Sequence, residues 1–338
     1  MYVISGIFQI ELQFLLIFLN GLTARGDSTY LNMLDEFMQA WRWPTLMSDC
    51  SDVFSDDIDL TRDHFKCDAH VALQIYGPIT VFLALLPANL AQMAPVVSFL
   101  ALADVLDTIK LMKSCVVSAD RFADVTINFL TKHQAAYKSI GWIPKHHLAI
   151  ELIAAFRRFG GLVGTLAQER MHKLTKKWSR DRYNKRGFER GLLEELTLEH
   201  LFLLGKPWWR YGLQDPICKC KKKLLACLKN LYPDATDFKT SRSIRVNTAS
   251  VVSAGDVAFA TVDGVRTLVE VWWLARHDNH EVACVSPWEP VSSHVQVPNT
   301  ATYSKVSRPK MISGDALLVS AFYWDQGDTV VALVPVHM

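Results

Sequence analysis

Residues 257–275 read VAFATVDGVRTLVEVWWLA. Two runs rich in β-branched and aromatic residues, Val257–Val262 and Val265–Ala275, flank Asp263-Gly264. That dipeptide tolerates the positive φ angles of a two-residue hairpin turn, so a β-hairpin is expected here. Ile244–Val252, Glu281–Val285, Leu317–Phe322 and Thr329–Val334 are further short β-rich runs. Ala254-Gly255-Asp256, Asp278-Asn279 and Gln326-Gly327-Asp328 punctuate them as turns. Five or six short strands in residues 241–338 predict a small β-rich domain, an SH3-like or similar barrel or a sandwich.

Upstream the period becomes helical. Helices are expected from about Asp68 to Leu86 and from Ala94 to Lys113, with Pro95 suited to a first helical turn. Ser118 is an N-cap for a helix that repeats Phe122, Val125 and Phe129 and stops near Gly141. Pro144 opens the next helix and Gly160 closes it. Its apolar positions are Leu148, Leu152, Phe156 and Phe159. Residues 1–22 form an apolar strand or helix, read as part of a truncated domain, and 48–63 an acidic, serine-rich loop. The expected class is α+β: a mostly helical body, then a small C-terminal β-barrel or sandwich. The expected division is 1–60, 61–240 and 241–338.

Two stretches test for a membrane segment. Residues 12–24 carry no charge, but Glu11 precedes them and no basic residue occurs before Arg25, unlike a signal peptide. Val71 to Ala103 has no charged residue over 33 positions. Gly77-Pro78, Pro87 and Pro95 cut it into pieces too short for the roughly 20 apolar residues of a spanning helix. Buried helices joined by proline-marked turns are expected, and a membrane partner is not.

The chain has 338 residues, half of them hydrophobic and 21% charged. Such a composition excludes a disordered tail, a collagen-like repeat and a disulfide-dense miniprotein. Seven cysteines in no secreted pattern point to a reducing compartment. Lys and Arg number 36 against 34 Asp and Glu, but the charges are segregated. Residues 1–130 hold 7 basic and 15 acidic groups, 131–245 hold 24 and 10, and 246–338 hold 5 and 9. The net charges are therefore −8, +14 and −4. A local positive field of this size attracts polyanions. The competing reading is internal, with the acidic N-terminal part docked on the basic part.

The basic segment is patterned. A helix from about Val163 to Ser179 puts Ala167, Met171, Leu174 and Trp178 on one stripe. Lys173, Lys176, Lys177 and Arg180 form another, roughly 140° away at 100° per residue. The run RDRYNKRGFERG (180–191) continues the charge through Arg182 and Lys185. A helix over Phe188–Leu204 follows. The last helix is expected over about Pro216–Leu231, with Cys220, Leu224, Cys227 and Leu231 on one face and Lys219 and Lys221–Lys223 at its start.

Other motifs are weaker. No phosphate-loop signature occurs, and Gly160-Gly161-Leu162-Val163-Gly164 is read as a tight turn. Cys218, Cys220 and Cys227, with His200, invite zinc but lack paired knuckles. His147 and Glu151 are i, i+4 neighbours and could share a metal with His146 and His172, but an ordinary surface pair is the simpler reading. Glu169 projects with the basic stripe, where a phosphoryl-transfer enzyme would place a metal ligand. Trp208, Trp209, Tyr211, Trp272, Trp273, Trp288 and Trp324 could stack on bases. In the β-rich part they are read as core.

The string PKHHLAIELIAAFRRFGGLVGTLAQERMHKLTKKW (144–178) resembles a block found late in transposases of the CACTA (En/Spm-like) class and their derived relatives. The matching elements are Pro144-Lys145-His146-His147, Phe159-Gly160 and Glu169-Arg170-Met171-His172-Lys173, and the similarity extends from about Phe65 to Leu231. The resemblance implies a DDE-type, two-metal strand-transfer ancestor with a ribonuclease-H-like fold. It makes Glu169 the candidate third carboxylate, with Arg170, His172 and Lys173 supporting DNA or the site. Where relatives often carry a second histidine, this chain has Glu151. The strands that should hold the first two carboxylates are not evident in residues 1–60, and the loop cluster Asp52, Asp56, Asp57 and Asp59 is no substitute.

The expected function is that of a transposase-derived, catalytically incomplete protein contacting DNA. The contact surface would comprise Arg157, Arg158, Arg170, His172, Lys173, Lys176, Lys177, Arg180, Arg182 and Lys185. The alternatives are an active metal-dependent strand-transfer enzyme using Glu169, a protein-interaction module built on the β domain, and a structural remnant. No cofactor and no small-molecule substrate are expected; Mg²⁺ enters only with the enzyme reading. The expected location is intracellular, with the nucleus as one option.

Overall fold

The computed structural model describes residues 6–23, 28–55, 58–112, 117–138, 142–159, 194, 197–198, 201, 211–214, 216–247, 250–278, 280–291, 297 and 299–335. The fold is α+β, with helices in the first half and antiparallel sheets in the second.

The helices are α1 (Phe8–Asn20), α2 (Tyr30–Gln39), α3 (Ala69–Ala84), α4 (Ala88–Ala91), α5 (Ala94–Met112), α6 (Ala119–Tyr137), α7 (Pro144–Phe159) and α8 (Lys222–Leu231). Of residues 1–22, Phe8–Asn20 thus form a helix rather than a strand. Phe8, Leu12, Leu15, Leu16 and Leu19 recur at helical spacing and are all fully buried. They share one apolar core with Leu34 and Met38 of α2, Ile75 and Ile79 of α3, Phe99 and Leu102 of α5, and Phe122 and Phe129 of α6. Each such side chain stabilises the fold by about 1.5–3 kcal/mol relative to exposure.

Helix ends follow the local chemistry. The Ser118 hydroxyl accepts the Arg121 N–H at 3.1 Å, as its N-cap position predicts. Pro87 and Pro95 bound α4 and open α5 as expected. Pro78 behaves differently: it lies inside α3 and does not end it. Burial of Ile75, Ile79 and Phe82 on both sides outweighs the one backbone bond that proline removes. Among the described residues no helix is long and apolar enough to cross a membrane.

Strands are numbered along the chain. One sheet runs β1 (Trp41–Arg42), β14 (Tyr323–Asp325), β15 (Thr329–Leu333), β11 (Thr300–Ser304), β10 (Glu289–Val291). A second runs β12 (Lys310–Ser313), β9 (His280–Pro287), β8 (Val265–His277), β4 (Phe238–Ser241), β3 (Cys218–Lys219), with β7 (Val257–Val262) joining β8 to β13 (Leu317–Ser320). A small third sheet holds β2 (Gly212–Leu213), β5 (Ser243–Arg245) and β6 (Val251–Ser253).

The hairpin read from residues 257–275 forms. Val262 pairs with Val265, and Asp263 and Gly264 take φ of 52° and 79°. β8 is the hinge of the architecture: its first half pairs with β7 and its second with β4, while β9 runs along its other edge. A bulge between Val271 and Trp273 leaves Trp272 39% exposed. The run expected over Ile244–Val252 is instead a hairpin of β5 and β6. All three sheets keep open edges among the described residues, so of the expected barrel or sandwich a closed barrel is not seen. Short strands that the sequence did not announce, β1, β10, β12 and β14, extend the sheets outward instead.

The two halves meet through specific contacts. β1, from the N-terminal segment, is an edge strand on β14, with Trp41 opposite Trp324. The Phe37 ring on α2 lies 4.9 Å from that of Trp324 and 5.5 Å from that of Phe82. The Thr45 backbone N–H and hydroxyl both donate to Asp256 Oδ1, at 2.9 and 2.7 Å. Gly77 permits a close approach of α3 to β15, because a Cβ there would stand 2.8 Å from Leu333 Cδ1.

Candidate nucleic-acid interface

Of the ten cationic positions singled out in the sequence, Arg157 and Arg158 are described. Both are exposed in the last turn of α7, where cations complement the negative helix end. Arg157 donates to Asp120 at 2.9 Å. That pair links the basic segment to the acidic one, but both side chains are more than half exposed, so it stabilises little. Glu169, Arg170, His172, Lys173, Lys176, Lys177, Arg180, Arg182 and Lys185 lie outside the described residues, as do Trp208, Trp209 and His200.

The described cations closest together in the chain are Lys219, Lys221, Lys222 and Lys223. The sequence predicts one helix over 216–231; the chain instead forms β3, then α8 from Lys222. Pairing of Cys218 with Thr240 and of Lys219 with Lys239 holds the first part extended. Leu228 of α8 is fully buried against Phe238, Ala275 and Val282, and the Tyr232 ring stacks on His277 at 4.1 Å. These contacts fix α8 across one face of the β3–β4–β8–β9 sheet and leave its lysines outward.

Register places Lys219, Lys239 and Arg276 opposite one another on three neighbouring strands, hence on one face. Lys239 is paired with Asp237 at 2.9 Å, and Arg276 approaches Glu281 at 4.0 Å. Lys219, Lys221, Lys222 and Lys223 are exposed and form no ion pair with a described residue. Lys221 is the N-cap of α8 and offers its helix no side-chain acceptor. Three lysines therefore crowd a helix start whose own dipole is already positive. That arrangement costs stability in the free protein and favours an anion beside it.

His146 and His147 both touch Trp142 but differ in burial: His146 is fully buried and stacks on the ring with centroids 5.0 Å apart, whereas His147 is exposed and accepts the Trp142 N–H at 3.1 Å. Cys218, Cys220 and Cys227 are free thiols, and the helical face expected to carry Cys220 begins after it. Among the described residues no three His, Cys, Asp or Glu side chains could hold a metal together. Trp288 is buried and Trp324 packs on Phe37, so these rings serve the core.

One buried polar group is barely marked in the sequence. Glu11 and His133, 122 positions apart, bond at 2.6 Å with both side chains fully buried. The His146 ring lies 4.5 Å from His133. Burial, then the neighbouring His133, hold the His146 pKa down to about 4. Burial and Glu11 push the Tyr137 phenol upward. The arrangement is closed to solvent and joins α1, α6 and α7. A carboxylate in an apolar helix is the only hint the sequence holds of it.

The chain matches no protein-family model, no curated protein and no solved structure.

Proposed function

We propose that the chain is a transposase-derived protein that contacts the phosphate backbone of nucleic acid without a complete active site of its own. The observation that carries this reading is the corner of Lys219, Lys221, Lys222 and Lys223 at the start of α8: exposed, without ionic partners among the described residues, and set on a positive helix end. The +14 charge of residues 131–245, to which the corner belongs, supports it. The resemblance of residues 144–178 supplies the transposon origin. Lys173, Lys176, Lys177 and Arg180 extend the same contact in this reading. Backbone contacts of this kind carry affinity without sequence preference. DNA is the proposed partner, and the nucleus a location consistent with it.

The test is fluorescence anisotropy of a labelled random-sequence DNA duplex titrated with the full chain. Two charge-reversed variants accompany it, one at Lys219, Lys221, Lys222 and Lys223, the other at Lys173, Lys176, Lys177 and Arg180. Each is expected to weaken binding at least tenfold, whatever the duplex sequence. Binding of the first variant at wild-type strength overturns the proposal.

A further inference from the structure

A cleft of about 250 Å³ lies between the helical layer and the sheets, and nothing in the nucleic-acid reading uses it. Its floor is polar and is assembled from three separate elements. Asp107 on α5 accepts the Tyr76 hydroxyl of α3 on Oδ1 at 2.6 Å. Its Oδ2 accepts the side-chain amide of Asn299, in the turn before β11, at 3.1 Å. Lys110, one turn beyond Asp107, holds its ammonium 4.3 Å from the centre of the Tyr76 ring. The walls are apolar and include Leu73, Val319, Phe322 and Leu333. An apolar cleft with a few convergent polar groups is the usual form of a small-molecule site.

We propose that this cleft binds a small uncharged aromatic alcohol, its ring system between the apolar walls and its hydroxyl donating to the Asp107 carboxylate. Three features select that class. A purely apolar cavity of about 150 Å³ holds benzene, so this cleft has room for two fused rings. A carboxylate has about four lone-pair sites, of which Tyr76 and Asn299 fill one each, so the floor offers an acceptor. Asp107 and Lys110 cancel in charge, so an ionic head would enter a half-desolvated site without a counter-charge of its own. Burial holds the Asp107 carboxyl above its ordinary range, more than Tyr76, Lys110 and Asn299 together lower it. A further donor from the ligand offsets that deficit.

The test is isothermal titration calorimetry of the full chain with three ligands of one shape: 2-naphthol, 2-naphthoate and protonated 2-(aminomethyl)naphthalene. Saturable one-to-one binding of 2-naphthol is expected, with both ions at least tenfold weaker. Thr80→Trp, which fills the cleft, is expected to abolish binding, and Asp107→Asn to weaken it about fivefold. Circular dichroism confirms that each variant is folded; if one is not, the charge series on the native chain still decides. No binding of 2-naphthol, tighter binding of either ion, or undiminished binding to a folded Thr80→Trp chain overturns the proposal.

Discussion

Glu11 on α1 and His133 on α6 meet inside the apolar core of the helical half. Both are fully buried, and their 2.6 Å bond is a polar tie between α1 and α6. Removing Glu11 takes a buried hydrogen-bond partner from the His133 ring. Glu11→Ala is therefore expected to cost about 1–3 kcal/mol in urea unfolding. No measurable loss would show that the pair is not a tie but an incidental contact. His146, beside it, supplies a pH signature. Its pKa falls from 6.5 in the unfolded chain to about 4 in the fold. Between those values the unfolded chain takes up a proton that the folded chain refuses. Its contribution is therefore intact above pH 6.5 and lost as the pH falls toward 4, by up to about 3 kcal/mol. His146→Phe is expected to flatten the stability profile over that window. An unchanged slope would assign the acid sensitivity elsewhere. The thiols sort by burial in the same way. Cys50, Cys67 and Cys284 are pushed up to about 11 by desolvation, whereas Cys218 and Cys227 are exposed. Iodoacetamide is expected to modify Cys218 and Cys227 first under native conditions, as read by peptide mass spectrometry; early labelling of Cys50 or Cys284 would contradict the packing.

Turns and edges decide the second half. Gly264 has φ of 79°, and no atom stands within 4 Å of where its Cβ would be. Gly264→Ala therefore costs only the backbone strain of a positive φ, about 1 kcal/mol in thermal unfolding. No loss at all would mean the turn can change type. This element was legible because Asp-Gly between two β-rich runs admits few other conformations. Ser118 was legible for a similar reason: a hydroxyl before a helical repeat has one obvious use. Pro78 was misleading, because punctuation by proline is local and the apolar surroundings of α3 are not. Cys218–Lys219 was misread because Cys220, Leu224, Cys227 and Leu231 keep a helical spacing that runs past the true helix start. Only its pairing with β4 extends the chain there, and β4 itself is four residues long. β1, with two residues, carries no periodicity for a sequence to show.

At the scale of the molecule, the acidic first third and the start of the basic middle share one helical core, through Phe122 and Phe156 among others, and Arg157–Asp120 is an exposed ion pair between them. The lysines were visible as a composition; their neighbours Lys239 and Arg276 were not, because cross-strand register depends on chain 20 to 57 residues away. The cleft lined by Asp107 was invisible for the same reason, since Tyr76, Asp107 and Asn299 converge only when the helices dock on the sheets. The measurement that bears most directly on the nucleic-acid reading is the salt dependence of DNA binding by the full chain. Over roughly 50 to 200 mM salt the affinity should fall log-linearly, with a slope of about −0.9 per phosphate contacted. Charge reversal at Lys219, Lys221, Lys222 and Lys223 should lower that slope by about two or more contacts. A slope near zero, or one that the variant leaves unchanged, would contradict a backbone contact at this corner of the fold.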